Sequence, residues 1–223
     1  MKKLMLIMGL VFSTLMASAK YEPNTKWPYI YENFTSGTIY STNNMKSEGK
    51  LNIHLSGNVL HYIGGDGKVY MSDDRKISRV EIGKDAYIYI DHYLMQVVGS
   101  VGEQVLLKYT KAEFSRMQSS TSGAYGTDLN TSSSRQLSSL DLGGLNTPEL
   151  GKMLQERNDG AEIPLSIEYF FFMDGKKVEA KKSDVIDYLG ADKADDFNQF
   201  VKENKIKWKN EDSLIAVLKY LSK

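Results

Sequence analysis

The sequence predicts an α+β fold: an N-terminal antiparallel β-meander, sandwich- or barrel-like, followed by a β-hairpin and a small C-terminal helical unit. Three observations predict it. From Lys50 to Thr110, short segments of alternating apolar residues are broken by turn residues at close intervals. Beyond Ser183 the apolar positions recur every three or four residues, the period of a helix with one buried stripe. A composition with 14 tyrosines, 8 phenylalanines and 18 glycines leans towards strands and turns. Strands first and helices last is the α+β order.

Residues 1–19 follow the secretory plan, with Lys2-Lys3, an apolar run from Leu4 to Leu15, and Ala17-Ser18-Ala19. A bilayer span needs about 20 apolar residues, so this run reads as a signal peptide cleaved after Ala19. The chain has no cysteine, hence no thiol for a lipid anchor and no disulfide framework. The expectation is an exported protein, periplasmic or secreted, without membrane span or anchor and held by its core alone. Without Lys2 and Lys3, 26 basic residues face 28 acidic ones, a formal charge of −2. No basic run exists to neutralise phosphates, which argues against nucleic acid as a partner.

Residues 20–110 read as an aromatic arm and the meander. The arm carries Tyr21, Trp27, Tyr29, Tyr31 and Phe34 with Pro23 and Pro28, so it suits an extended edge segment docked through its rings. Gly37 to Thr42 is a first strand and Asn43-Asn44 its turn. Gly49 to Ser56 and Val59 to Ile63 then flank Gly57-Asn58 as a two-residue hairpin. That register sets His54 opposite His61 on an outer polar face with Asn52 and Ser56, and turns Leu51, Ile53, Leu55, Leu60 and Tyr62 inward. Gly64-Gly65-Asp66-Gly67 is a turn, Lys68 to Met71 a short strand, and Ile77 to Ile82 the next. Ala86 to Ile90 and Tyr93 to Val98 flank Asp91-His92, pairing Ile88 with Met95 and Tyr89 with Leu94. Both faces of this second hairpin are apolar, which predicts cover on both sides, by a second layer, the arm or another copy. Gln104 to Tyr109 closes the meander.

Residues 111–160 read as a Ser/Gly-rich linker with short helices. Thr110-Lys-Ala-Glu113 has capping-box spacing for a helix to about Met117, and Thr147-Pro148-Glu149 opens a second carrying Leu150, Met153 and Leu154. Residues 161–223 hold Leu165 to Met173, the Asp174-Gly175 turn, Lys176 to Ala180, and three helices. Ser183, Asp192 and Asn210 are their expected N-caps. Ile206 and Trp208 plug the junction of the last two.

No catalytic, cofactor-binding or metal site assembles from motifs. There is no G-x-S-x-G elbow, and Ser47-Glu-Gly-Lys50 matches S-x-x-K without its companion motifs. The glycines at 64–67 are followed by neither the lysine nor the helix of a phosphate cradle. His54 and His61 offer two ligands to one ion, short of the three or four that zinc or copper takes, and His92 sits at another hairpin's tip. Asp66, Asp73 and Asp74 lack EF-hand spacing. Asp195-Asp196 and Glu211-Asp212 suit first turns of helices, where the dipole favours acids.

Two stretches carry a resemblance: Thr35 to Tyr109, ending Val105-Leu-Leu-Lys-Tyr109, and Lys176-Lys-Val-Glu-Ala-Lys-Lys-Ser-Asp-Val185 through Phe200-Val-Lys-Glu-Asn-Lys-Ile-Lys-Trp-Lys209. Together they resemble uncharacterised exported proteins common in Bacteroidetes bacteria, which implies a Gram-negative envelope location and no particular activity. The functional expectation is a non-catalytic binding or interaction protein of the envelope with a protein or glycan partner. The alternative is an envelope or secreted hydrolase using carboxylates that no motif singles out. A third expectation is self-assembly through the doubly apolar hairpin.

Overall fold

Described here are residues 24, 25, 27–113 and 162–223 of a computed structural model. The expected signal peptide, the helices after Glu113 and Thr147, and the linker lie outside these residues. The described strands form one antiparallel sheet in the order β1-β10-β9-β8-β7-β6-β2-β3-β4-β5, with β11 paired onto β10. They are β1 (Asn24–Thr25), β2 (Thr35–Ser41), β3 (Lys46–His54), β4 (Val59–Ile63), β5 (Val69–Met71), β6 (Ile77–Ile82), β7 (Asp85–Ile90), β8 (Tyr93–Val101), β9 (Gln104–Ala112), β10 (Ile163–Met173) and β11 (Lys176–Glu179). Three helices follow, α1 (Lys182–Leu189), α2 (Ala191–Glu203) and α3 (Glu211–Leu221). The α+β order of a meander with helices last is therefore the observed one, and the sheet curls into a half-barrel.

Local chemistry explains the turns. Asp91 and His92 both hold left-handed φ values, 50° and 68°, and so do Asp174 and Gly175 at 50° and 73°. Such turns match the twist of the strands they join. β7 and β8 accordingly pair Ile88 with Met95 and Tyr89 with Leu94, the register the sequence implies.

Two clusters carry most of the core. Leu51, Ile53, Leu60, Val80, Ile82, Tyr87 and Leu94 form one cluster beneath β2–β8. Leu106 and Phe171 begin a second, completed by Met173, Val178, Val185, Phe197, Leu214, Val217 and Leu218 from β10, β11 and all three helices. Glu211 pins α3 to the sheet: its Oε1 accepts from Lys108 Nζ and from the Tyr169 hydroxyl, each at 3.0 Å. Partial burial alone would raise the Glu211 pKa, but these two donors outweigh it and hold the carboxyl below its usual range.

Several local expectations fail. Thr110 and Ala112 belong to β9, because Ile167 and Leu165 of β10 pair with them and extend the ladder where a helix cap was expected. Ser183 lies inside α1, whose N-cap is Lys181, and Asp192 lies in the first turn of α2 after an N-cap at Gly190. Asp195 and Asp196 come one turn later. Only Asn210 caps as expected, its Oδ1 accepting from Ser213 N at 2.9 Å.

Gly37 sits between β3 and β6, and a Cβ there would stand 2.3 Å from the Glu81 carbonyl oxygen and 2.8 Å from Leu51 Cδ1. Gly37→Ala should therefore cost about 3 kcal/mol. Gly65→Ala, whose added carbon meets nothing within 4 Å, should stay within about 0.5 kcal/mol of the parent. Urea denaturation midpoints of the two variants check the contrast.

Candidate functional site

The polar residues of the β3–β4 hairpin do not face solvent. Asn52, His54 and Asn58 have no exposed surface and His61 has 3%. The expected two-residue loop is also wrong: β3 and β4 pair Leu51 with Tyr62, Asn52 with His61, Ile53 with Leu60 and His54 with Val59, leaving a four-residue connection. The backbone and side chains of that connection bond elsewhere. Leu55 N donates to Pro28 O at 2.9 Å, Ser56 N to His54 Nδ1 at 3.2 Å, and Asn58 Nδ2 to Thr110 O at 2.8 Å. Gly57 and Asn58 then reverse the chain with φ values of 79° and 48°. A slip of two residues leaves each side chain on its expected face. His54 and His61 still share a face, diagonally placed instead of directly opposite.

What covers that face is the arm. Asn24 and Thr25 pair with Pro164 and Ile163 at one end of the sheet. Four residues later Tyr29 bridges His54, flanked by Leu55 N to Pro28 O and by Ile30 N to Ile53 O at 3.0 Å. The arm is thus a strap joining β10 to β3. Where it breaks from the ladder, Asn52 takes over: its Oδ1 accepts from Tyr31 N at 3.1 Å and its Nδ2 donates to Tyr31 O at 2.8 Å. Tyr31 then donates to Asp85 Oδ2 at 2.7 Å, and its hydroxyl lies 2.6 Å from that of Tyr87.

Beneath the strap the imidazoles of His54 and His61 stack, centroids 5.1 Å apart and planes 20° from parallel. The Tyr29 ring stands edge-on to both, and its hydroxyl lies 2.9 Å from His61 Nδ1. Trp27, Phe34 and Val69 complete the enclosure. Nδ1 of each histidine is thus engaged, while neither Nε2 meets a hydrogen-bonding partner among the described residues. Burial pushes His54 down to about 4, and burial together with the neighbouring ring pushes His61 down to about 3, so both are neutral at pH 7. Burial also raises the Tyr29 phenol well above its ordinary value.

The other sequence candidates are not brought together. Ser47 and Lys50 both lie in β3, three residues apart, so they point to opposite faces; Lys50 Nζ donates to Ser36 Oγ at 2.9 Å. Asp66 accepts from the Tyr70 hydroxyl at 2.8 Å and Asp73 from Arg75 Nε at 3.1 Å, while Asp74 opens a separate 3-10 turn. His92 occupies the exposed β7–β8 turn. Among the described residues no three His, Asp or Glu side chains are placed to hold a metal ion. Tyr29 and Asn52 are site residues to which motif reading gives no role; the sequence offers Tyr29 only as one of the arm's docking rings and Asn52 only as a polar-face neighbour of the histidines.

The histidines make stability depend on pH with a definite sign. Unfolded imidazoles bind protons near pH 6.5 and the folded ones resist until about pH 4 to 3, so stability is fullest above 6.5 and falls through that window. The loss should reach on the order of 3 kcal/mol per histidine. His61→Phe should flatten the slope of unfolding free energy between pH 6.5 and 4.5, read by urea titration at each pH. Several molar equivalents of zinc should leave the melting temperature unchanged, because a bound ion would raise it. No protein family, curated protein or solved structure matches the chain.

Proposed function

We propose that the protein is an exported, non-catalytic binding or interaction protein of the bacterial envelope. One observation carries the reading: the buried polar residues whose types suit chemistry are engaged in closing the sheet. Asn52 holds Tyr31, Asn58 holds Thr110, and His54 and His61 seat Tyr29. The residues with chemical potential thus act as structure.

Recognition is then left to the outer surfaces. β5 ends the strand order, and Gly64 N to Lys68 O and Ser72 N to Leu60 O make Tyr62 and Tyr70 a hydrogen-bonded pair. Backbone groups of Val69 and Met71 therefore point out of the sheet edge, where an extended peptide can pair. On the face opposite Ile39, Lys46 Nζ and the Arg79 guanidinium lie 5.2 Å and 5.9 Å from the Tyr40 ring centre, a cationic and aromatic row suited to a protein or glycan partner. None of the described helices is long and apolar enough to cross a membrane. Export is supported by the Lys2-Lys3, Leu4 to Leu15 and Ala17-Ser18-Ala19 sequence.

Protein recovered from the periplasm of a Gram-negative host should begin at Lys20 on N-terminal sequencing. It should turn over nothing in a panel of glycosidase, esterase and peptidase substrates, and should retain a glycan or peptide ligand more weakly after Tyr40→Ala. Turnover abolished by one carboxylate substitution would establish the hydrolase instead.

A further inference from the structure

We propose that the strap is an acid-released latch: proton uptake by His54 and His61 detaches residues 27–34 from β3 while the rest of the sheet stays folded. The geometry singles out this pair. Two rings stacked at 5.1 Å cannot both charge without repulsion, and they are enclosed by Trp27, Tyr29 and Phe34 rather than by water. Each imidazolium would carry an Nε2 proton with no acceptor among the described residues.

Among the described residues no opposite charge relieves them. Among the described residues of the strap, Tyr29 is the titratable group facing them, and it stays neutral. From β5 the same face presents Val69 and Met71. On β3, Lys50 shares the face but directs its ammonium to Ser36, and Glu32 lies exposed on the strap beyond Tyr31. Protonation therefore favours whichever state gives the rings to water.

The strap is the part that can yield. Trp27, Tyr29 and Phe34 pack with Val69 and Ile63 as a cluster of their own, distinct from the clusters beneath β2–β8 and around the helices. Moving the strap solvates both histidines and withdraws Ile30 and Tyr31 from the margins of the neighbouring clusters, whose fully buried members all lie outside residues 27–34. It also uncovers the β3 edge from Ile53 to Leu55, whose backbone groups would then be free to pair with another strand. Each histidine can shift the release equilibrium by up to tenfold per pH unit between about pH 6.5 and 4, and the pair by up to a hundredfold.

Native-state hydrogen exchange of the full chain tests this. The Ile30 and Leu55 amides report the strap, and the β9–β10 amides around Leu107 and Phe171 report the sheet. Between pH 7.0 and 5.5, after correction for intrinsic exchange, the opening constant at Ile30 and Leu55 should rise at least tenfold while that of β9–β10 holds. His61→Phe should cut the strap's rise over that interval to no more than about eightfold, the most that the one remaining imidazole can supply. Equal rises at both sites, or no rise at the strap, would overturn the latch. Should His61→Phe not fold, Trp208→Phe leaves Trp27 as the one reporter: its emission should shift to the red on acidification with far-UV circular dichroism unchanged, and an unshifted emission would also overturn the proposal.

Discussion

The contact on which the architecture depends is the seating of Tyr29 over the stacked imidazoles of His54 and His61. A curled antiparallel sheet has two ends, and unpaired ends expose backbone groups and apolar flanks. In this chain one short strap meets both problems. Its first residues pair with β10, its middle bridges the tip of β3, and its rings cover an outer face that would otherwise present two histidines and Val69 to water. Asn52 makes the change of direction tolerable, because its amide replaces the backbone partners that the strap lacks where it leaves the ladder.

That arrangement suits a chain without cysteine. No covalent link reduces the freedom of the unfolded state, so packing and hydrogen bonds hold every element. The helices complete the cluster around Phe171 and are pinned by Glu211, and the β3–β4 connection reaches β9 through Asn58. Remote segments of sequence thereby close one half-barrel. The polar groups that do this are ones that a catalytic reading would have claimed, which is why the same histidines serve as keystones and as the group most sensitive to protons.

How legible this was depends on how local each decision is. The turns at Asp91-His92 and Asp174-Gly175 are determined by residues that tolerate left-handed backbone, so both hairpins and the β7–β8 register follow from sequence. Asn210 caps α3 for the same local reason. The β3–β4 register is set by distant partners at Pro28 and Thr110, so a plausible Gly57-Asn58 hairpin was displaced by two residues. Faces survived because a slip of two preserves alternation, but exposure did not, since it depends on where the strap lies. Thr110 and Glu113 have capping-box spacing, yet β10 lies close enough to extend the ladder over Thr110. Long-range pairing overrode local propensity there.

Taken together, a strap that joins β10 to β3 and a histidine pair that seats it connect fold, proton sensitivity and the edge left for partners. The most direct test is a long-range nitrogen–proton NMR titration of the imidazole side chains. Resonances of His54 and His61 should remain those of neutral rings from pH 8 down to at least pH 5.5, with cross-relaxation to the Tyr29 ring. Titration of either ring near the ordinary value of about 6.5, with no contact to Tyr29, would contradict the account.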